Sequence, residues 1–96
     1  MAWTISYSDT ARKQLRKLDK QTARRILDFM DGRIAGAHNP RDTGKALTGP
    51  LSGSFWRYRV GDYRIICEIE DAKLCVLVIE IGHRRDVYRK MVFRDR

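Results

Sequence analysis

The chain has 96 residues and carries 20 Lys and Arg against 12 Asp and Glu, a formal net charge of +8 at pH 7. This length predicts a single domain, residues 1–96, that is too small to enclose a large substrate cavity, so we expect any site to be a shallow cleft. The positive surplus makes polyanions, either nucleic acid or an acidic protein, the first partners to consider.

No stretch of the sequence predicts a signal peptide or a membrane span. Residues 1–6 lack a charged start and an apolar core, and the longest apolar run, residues 74–79, is far too short to cross a bilayer. Cys67 and Cys75 fall in predicted strands without the spacing of metal ligands, so we interpret them as small buried hydrophobes. We therefore expect a cytoplasmic protein with no membrane contact and no metal.

The first third of the chain predicts a strand followed by two helices. Residues 3–7 alternate large apolar and small polar side chains, which is the period of a half-buried strand. A first helix follows a cap at Ser8 or Asp9, and a second begins after Asp19 and ends near Gly36. The apolar stripe of the second helix is Ala23, Ile26, Leu27, Met30 and Ile34. Basic residues on the outer faces predict a solvated surface that attracts anionic partners without taking part in chemistry.

Residues 37–53 are rich in Gly, Pro, Asn, Ser and Thr and predict a long loop. Loops of this length in compact domains are often functional, which makes His38, Arg41 and Lys45 candidate ligand contacts. A simple surface crossing from the helices to the sheet is the alternative, and it explains each residue taken individually.

Residues 55–67 predict a β-hairpin with a type II′ turn at Gly61-Asp62. This turn would place Arg59 opposite Arg64, with Arg57 diagonal to Arg64 on the same face. Like charges in that arrangement destabilise a hairpin by up to about 1 kcal/mol unless an anion lies between them. The three arginines are therefore a candidate phosphate site. The alternative is that they extend into solvent or pair with Glu68, Glu70 and Glu80.

The next strand, predicted at residues 74–81, is apolar on both faces and so belongs in the sheet interior. It runs antiparallel to the second strand of the hairpin, and its direction returns residues 82–88 to the level of the hairpin arginines. His83 offers a proton near neutral pH, Arg84 adds charge, and Tyr88 offers a ring for stacking or a hydrogen bond.

Each of these residues also has a structural interpretation. His83 could cap the strand end, Arg84 and Arg85 could pair with Asp86, and Tyr88 could simply pack. A short terminal helix is predicted at residues 86–93. The expected fold is α+β: an N-terminal strand, a helical hairpin packed on a mainly antiparallel four-stranded sheet, and a short C-terminal helix.

The sequence resembles the RelE/ParE superfamily of toxins of type II toxin-antitoxin systems, and the RelE branch more closely. The matching motifs are Leu51-Ser52-Gly53, residues 56–66 and residues 82–88, and the resemblance covers essentially the whole chain. It implies a microbial-ribonuclease-like fold and an endoribonuclease that enters the A site of the 70S ribosome and cuts translated mRNA. It also implies a RelB-like antitoxin with an acidic segment as partner, and no cofactor or metal.

The resemblance further implies roles for individual residues. Arg57 and Arg59 match basic strand residues that are often lysine in the RelE branch, and Arg64 matches a phosphate-binding arginine. Arg84 matches an arginine proposed as leaving-group acid or charge stabiliser, and Tyr88 matches a tyrosine that stacks on the substrate base.

Three further candidates complete the expected site. Lys45 and Arg85 are expected to contact RNA phosphate, and His83 stands where some relatives have lysine. Because arginine is practically never deprotonated, Arg57 or Arg59 would be a poorer general base than lysine, which makes His83 the better candidate for proton transfer.

Three functions remain open from the sequence. The leading hypothesis is a ribosome-dependent mRNA interferase that uses the 2′-hydroxyl of RNA as internal nucleophile. The alternatives are a ParE-like toxin that inhibits DNA gyrase without cutting RNA, and an inactive member whose basic cleft receives an acidic antitoxin peptide.

Overall fold

A computed structural model of the chain describes residues 2–47 and 55–85. It contains the strands β1 (Thr4–Tyr7), β2 (Lys45–Ala46), β3 (Phe55–Val60), β4 (Tyr63–Glu70) and β5 (Cys75–His83). The helices are α1 (Asp9–Lys17) and α2 (Lys20–Asp28), and α2 continues into a π-helical turn at Phe29–Ile34. Short 3-10 turns lie at Pro40–Asp42 and Asp71–Lys73. The predicted terminal helix, Tyr88 and the Leu51-Ser52-Gly53 motif lie outside the described residues.

The strands form one sheet in the order β1-β5-β4-β3-β2. β1 is parallel to β5, and the other neighbours are antiparallel. The α+β class is confirmed, but the prediction of four strands is wrong, because β2 adds a fifth within the described residues. Lys45 and Ala46 pair with Arg57 and Trp56 inside the segment predicted as a loop. Two residues are too few to show the alternation by which a strand is detected.

Side-chain caps start both helices where the sequence placed them. Ser8, rather than Asp9, caps α1: its hydroxyl accepts from the Ala11 N–H at 3.0 Å. Asp19 caps α2 by accepting from the N–H and the hydroxyl of Thr22 at 3.1 and 2.7 Å. These hydrogen bonds lower the pKa of the Asp19 carboxyl, because they favour its ionised form. The two helices therefore begin within two short, well-defined turns.

The core lies between the helices and one face of the sheet. Ile26, Met30 and Ile34, three members of the predicted stripe, are fully buried against it. From the strands, the buried side chains are Tyr58, Ile65, Cys67, Ile69, Val76, Val78 and Ile81. Cys67 is thus a buried hydrophobe as predicted, and burial raises the pKa of its thiol; Cys75 is half-buried.

Beyond the end of β1, side chains of α1 and its cap form hydrogen bonds with the edge of β5. The pairing of β1 ends at Val78, and beyond it the Ser8 hydroxyl donates to the Ile79 carbonyl at 3.0 Å. Further along, the amide oxygen of Gln14 accepts from the Ile81 N–H at 2.6 Å, and its NH₂ group donates to the buried Glu80 carboxylate at 2.9 Å. Side chains of α1 therefore hold the second half of β5 in place. No helix within the described residues is long and apolar enough to span a bilayer.

Candidate functional site

The β3–β4 hairpin has the predicted register. Val60 pairs with Tyr63 and Arg59 with Arg64. Gly61 has a φ of 59°, whereas Asp62 has no positive φ, as in a type II′ turn. Because side chains alternate along strands, Arg59 and Arg64 share one face of the hairpin.

The Arg64 guanidinium lies against the turn. Its Nη1 donates to the carbonyls of Gly61 and Tyr63 at 3.3 and 3.2 Å. Within the described residues, neither Arg59 nor Arg64 forms an ion pair with Glu68 or Glu70. In the described part of the chain, the Arg64 guanidinium is therefore stabilised by backbone carbonyl groups and not by carboxylates.

A cleft of about 380 Å³ lies beside these arginines. It is lined by Phe29, Arg33, Thr43, Gly44, Lys45, Arg57, Tyr58, Arg59 and Arg64. Five of these residues are cationic, and the lining contributed by the described residues contains no Asp or Glu. The cleft is therefore a concentration of positive charge suited to an anionic ligand.

One wall of the cleft is the segment before β2, packed directly on β3. The Trp56 indole N–H donates to the Thr43 carbonyl at 2.6 Å. Gly44 makes this approach possible: its φ is 81°, and a Cβ there would overlap the Arg57 carbonyl and lie 2.9 Å from Tyr58 Cδ1. Lys45 then pairs with Arg57 across β2 and β3. The wall brings Lys45 to the hairpin arginines, although the sequence placed it only in a loop.

The floor and the opposite wall come from Tyr58 and α2. Tyr58 is 1% exposed, and its hydroxyl donates to the Pro40 carbonyl at 2.7 Å. Burial raises the pKa of Tyr58, so the phenol stays neutral. The Phe29 ring meets the Tyr58 ring edge-on, with centroids 5.8 Å apart. Phe29 and Arg33 complete the lining from the π-helical turn.

Phe29 and Arg33 were missed by the sequence reasoning. Phe29 is an apolar residue outside the stripe of Ile26, Met30 and Ile34, and it stands four residues before Arg33. The signal in the sequence was the spacing of four residues that places Phe29 between Arg25 and Arg33 on one helix face.

The end of β5 returns to the hairpin tip, as its direction predicted. His83 pairs with Tyr63, and their rings meet edge-on with centroids 6.0 Å apart. The Arg84 N–H donates to the Asp62 carbonyl at 2.9 Å, and the Arg85 N–H donates to His83 Nδ1 at 3.4 Å.

However, His83 does not lie on the sheet face on which the expected cluster required it. His83 shares a face with Tyr63, and Gly82, not His83, pairs with Arg64. His83 thus lies on the opposite face of the sheet from Arg59 and Arg64. The expectation of one joint cluster is therefore wrong for His83, and Arg84 and Arg85 are exposed beyond the cleft lining.

Two other candidates have different roles from those considered. Arg41 forms a bidentate ion pair with Asp71, with N–O distances of 2.8 and 2.9 Å, and this contact lowers the pKa of the Asp71 carboxyl. It joins the two 3-10 turns and does not line the cleft. His38 accepts a weak hydrogen bond through its carbonyl from the Trp3 indole at 3.5 Å. Among the described residues, no group of His, Cys, Asp or Glu is arranged to hold a metal ion.

Comparisons with known proteins identify the family to which this chain belongs. The family described as ParE toxin of type II toxin-antitoxin system, parDE, matches residues 5–88. Toxin RelG of Mycobacterium tuberculosis is 32% identical over 90 residues, which cover 94% of this chain and 100% of the relative. Toxin RelE of the same organism is 32% identical over 92 residues, covering 96% of this chain and 92% of the relative.

A solved structure extends the likeness to the backbone. The crystal structure of the toxin-antitoxin complex RelBE2 from Mycobacterium tuberculosis superposes with a TM-score of 0.78 at 27% identity, covering 88% of this chain and 93% of the matched chain. The family match spans most of the sequence, and two relatives exceed 30% identity over nearly the full chain. The chain therefore belongs to the RelE/ParE superfamily and is a toxin of a type II toxin-antitoxin system.

Proposed function

We propose that this toxin is a ribosome-dependent mRNA endoribonuclease that cuts the codon in the A site of the 70S ribosome and so inhibits translation. The observation that carries the proposal is the cleft in which Lys45, Arg57, Arg59 and Arg64 converge with no carboxylate among its described lining residues. Relatives named RelE and RelG support the same branch. Residues 1–96 would act as one toxin domain in the cytoplasm, where ribosomes translate.

The chemistry proposed is transesterification within the RNA strand. The 2′-hydroxyl attacks the adjacent phosphorus, the bond to the 5′ oxygen breaks, and the products end in a 2′,3′-cyclic phosphate and a 5′-hydroxyl. The phosphoryl group gains negative charge on the way, and Arg59 and Arg64 are positioned to stabilise it. One such donor contributes on the order of 2.7 to 4 kcal/mol to lowering a barrier.

Proton transfer belongs to the end of β5 in this proposal. Arginine keeps its proton, so Arg57 and Arg59 act as charges rather than bases. Arg84, whose N–H is anchored to the Asp62 carbonyl at the hairpin tip, is by the same argument the proposed stabiliser of charge on the leaving 5′ oxygen and not its acid. The 2′-hydroxyl gives its proton to His83 or to a group of the ribosome, and the departing 5′ oxygen takes up a proton from water. Because His83 lies on the sheet face away from Arg64, we expect its replacement by alanine to reduce cleavage less than the replacement of Arg64. Tyr88 keeps the base-stacking role implied by the resemblance, and Arg85 the role of a phosphate contact.

The proposed partner is a cognate antitoxin. The RelBE2 structure is of a toxin-antitoxin complex, and this chain carries a net charge of +8. An acidic antitoxin segment would complement that surplus and compete with RNA for the basic cleft.

The test is cleavage of mRNA on programmed ribosomes, with new 5′ ends mapped by primer extension. We expect the protein to cut within the A-site codon, and Arg64→Ala and Arg84→Ala each to cut at least about 100-fold more slowly. Lys73→Ala is the matched control, because it removes one exposed cation at the far end of the β4–β5 hairpin. Absence of cuts from protein that still arrests growth, or full activity in both arginine variants, would reject the proposal.

A second candidate function is inhibition of DNA gyrase without RNA cleavage. One observation favours it: the family that matches residues 5–88 is described as ParE toxin. A supercoiling assay with purified gyrase tests it. Loss of supercoiling at toxin concentrations that leave ribosome-bound mRNA intact would make this the function instead.

A further inference from the structure

The cleft combines an aromatic ring with cations on a segment outside the arginine hairpin. Phe29 and Arg33 line it from the π-helical turn after α2, and Arg57 and Arg59 on β3 line the same cleft. We propose that Phe29 and Arg33 bind one unstacked nucleotide of the RNA strand, with Phe29 against its base and Arg33 against its phosphate. This inference rests on the proposed function and adds the residues that position the substrate.

Phe29 is held in place by the core beneath it. Its ring is half-buried and meets Tyr58 edge-on, with the centroids 5.8 Å apart and an interplanar angle of 62°. Tyr58 is itself locked by its 2.7 Å hydrogen bond to the Pro40 carbonyl. A ring fixed in this way offers apolar surface to a ligand at little cost in side-chain entropy.

Phe29 and Arg33 belong to a row of residues on one face of α2 and its π-helical turn. Arg25, Phe29 and Arg33 follow one another at intervals of four, the spacing that puts side chains on one helix face. The Ala35 N–H bonds to the Met30 carbonyl at 2.9 Å, an i to i+5 contact that widens the helix after Phe29. Such π-turns occur often at functional sites. Arg25 reaches the hairpin tip, since a Cβ on Gly61 would lie 3.9 Å from its Nη2.

The chemistry of this lining selects a nucleotide. An apolar ligand would not require five cations, and a bare anion would not require a half-buried aromatic ring that lines the cleft among them. A nucleotide carries both a flat π-face and a phosphate, and single-stranded RNA is recognised by stacking on aromatic side chains together with basic contacts to its backbone. A volume of about 380 Å³ lies at the small end of ligand pockets, so the cleft holds one nucleotide and not a folded RNA.

The test separates the base from the phosphate. Fluorescein-labelled hexamers of deoxyadenosine, which lack the attacking 2′-hydroxyl, are compared with abasic hexamers of equal charge by fluorescence anisotropy over a range of salt concentrations. We expect the protein to bind the base-bearing hexamer more tightly. Phe29→Leu should weaken that complex by about 5- to 150-fold and leave the abasic complex unchanged.

Arg33→Gln should weaken both complexes and lower the slope of log K against log salt by about 0.7, the value for one phosphate contact on a single strand. Lys73→Ala is again the matched control for charge. Phe29→Met, which also removes the ring but fills the space, serves as a second variant if Phe29→Leu fails to fold. Its expected effect is the same.

Equal affinity of the unaltered protein for the two hexamers, or binding of neither, would overturn the inference. Equal affinity would mean that the cleft recognises negative charge alone, and an acidic peptide also carries such charge. Base discrimination that survives in Phe29→Leu and Phe29→Met would also overturn it. The two proposals can fail independently. If the unaltered protein cuts ribosome-bound mRNA but does not prefer the base-bearing hexamer, only this inference is rejected. If it prefers that hexamer but does not cut ribosome-bound mRNA, only the proposed reaction is rejected.

Discussion

Replacing Gly44 by alanine should show how much the cleft depends on one backbone position. Gly44 lies where the segment before β2 crosses β3, at a φ of 81° that is unfavourable for any residue with a Cβ. The added Cβ would overlap the carbonyl of Arg57 and approach Trp56 Nε1 and Tyr58 Cδ1 to 2.9 Å. Two of these three atoms cannot move without disturbing β3 or the hydrogen bond to Thr43.

The expected cost has two parts. Holding alanine in the left-handed region costs about 1–2 kcal/mol, and forcing an extra carbon into a packed site costs about 1–3 kcal/mol. The free energy of unfolding should therefore fall by roughly 2–5 kcal/mol. For a chain of this size each kcal/mol lowers the melting temperature by about 4–8 °C, so even the lower limit predicts a shift of about 8 °C or more.

Gly32→Ala is the matched control. Gly32 lies in the π-helical turn, and a Cβ there meets nothing within 4 Å. Alanine is favoured over glycine in a helix by up to about 1 kcal/mol, so this variant should be neutral or slightly more stable. Thermal and urea unfolding followed by far-UV circular dichroism measure both variants. A Gly44→Ala protein as stable as Gly32→Ala would refute the packing argument and with it the account of how Lys45 reaches the cleft.

Three further changes test the frame around the cleft. Gln14→Ala should lower the free energy of unfolding by about 1–3 kcal/mol, because the buried Glu80 and the Ile81 N–H both lose a hydrogen-bond partner; urea unfolding that shifts by less than 0.5 kcal/mol, taken as about the error of such fits, would contradict this. Burial raises the pKa of the Cys67 thiol in the folded protein, so the unfolded chain releases that proton first as pH rises. The free energy of unfolding should therefore fall above about pH 8.5, by about 1.4 kcal/mol per pH unit. Cys67→Ala should lack that part of the alkaline loss, and an unchanged slope between pH 8.5 and 10 would count against it. Asp19 has a lowered pKa, so its contribution is present above its ordinary pKa of about 3.9 and is lost as pH falls. Asp19→Asn keeps the cap and should flatten the acid limb of the stability curve, whereas an acid limb identical to that of the unaltered protein would argue against the cap as its source.

The sequence was sufficient for the local features of the fold. The Gly61-Asp62 turn determined the hairpin register, and that register alone placed Arg59 opposite Arg64. Ser8 and Asp19 marked the helix starts by their capping chemistry, and periodicity identified the buried face of α2. These features depend on residues close together in the chain, for which turn geometry and side-chain period are strong rules.

The tertiary structure alone decided the composition of the cleft. Phe29 and Arg33 join the hairpin arginines only because α2 packs beside β3, and Lys45 joins them only because Gly44 lets its segment approach the strand. The face on which His83 lies depends on the irregular register of β4 and β5 between Ile66 and Cys67. A shift of one residue moves every later side chain to the other face of the sheet, and no short-range signal in the sequence marks where such a shift occurs.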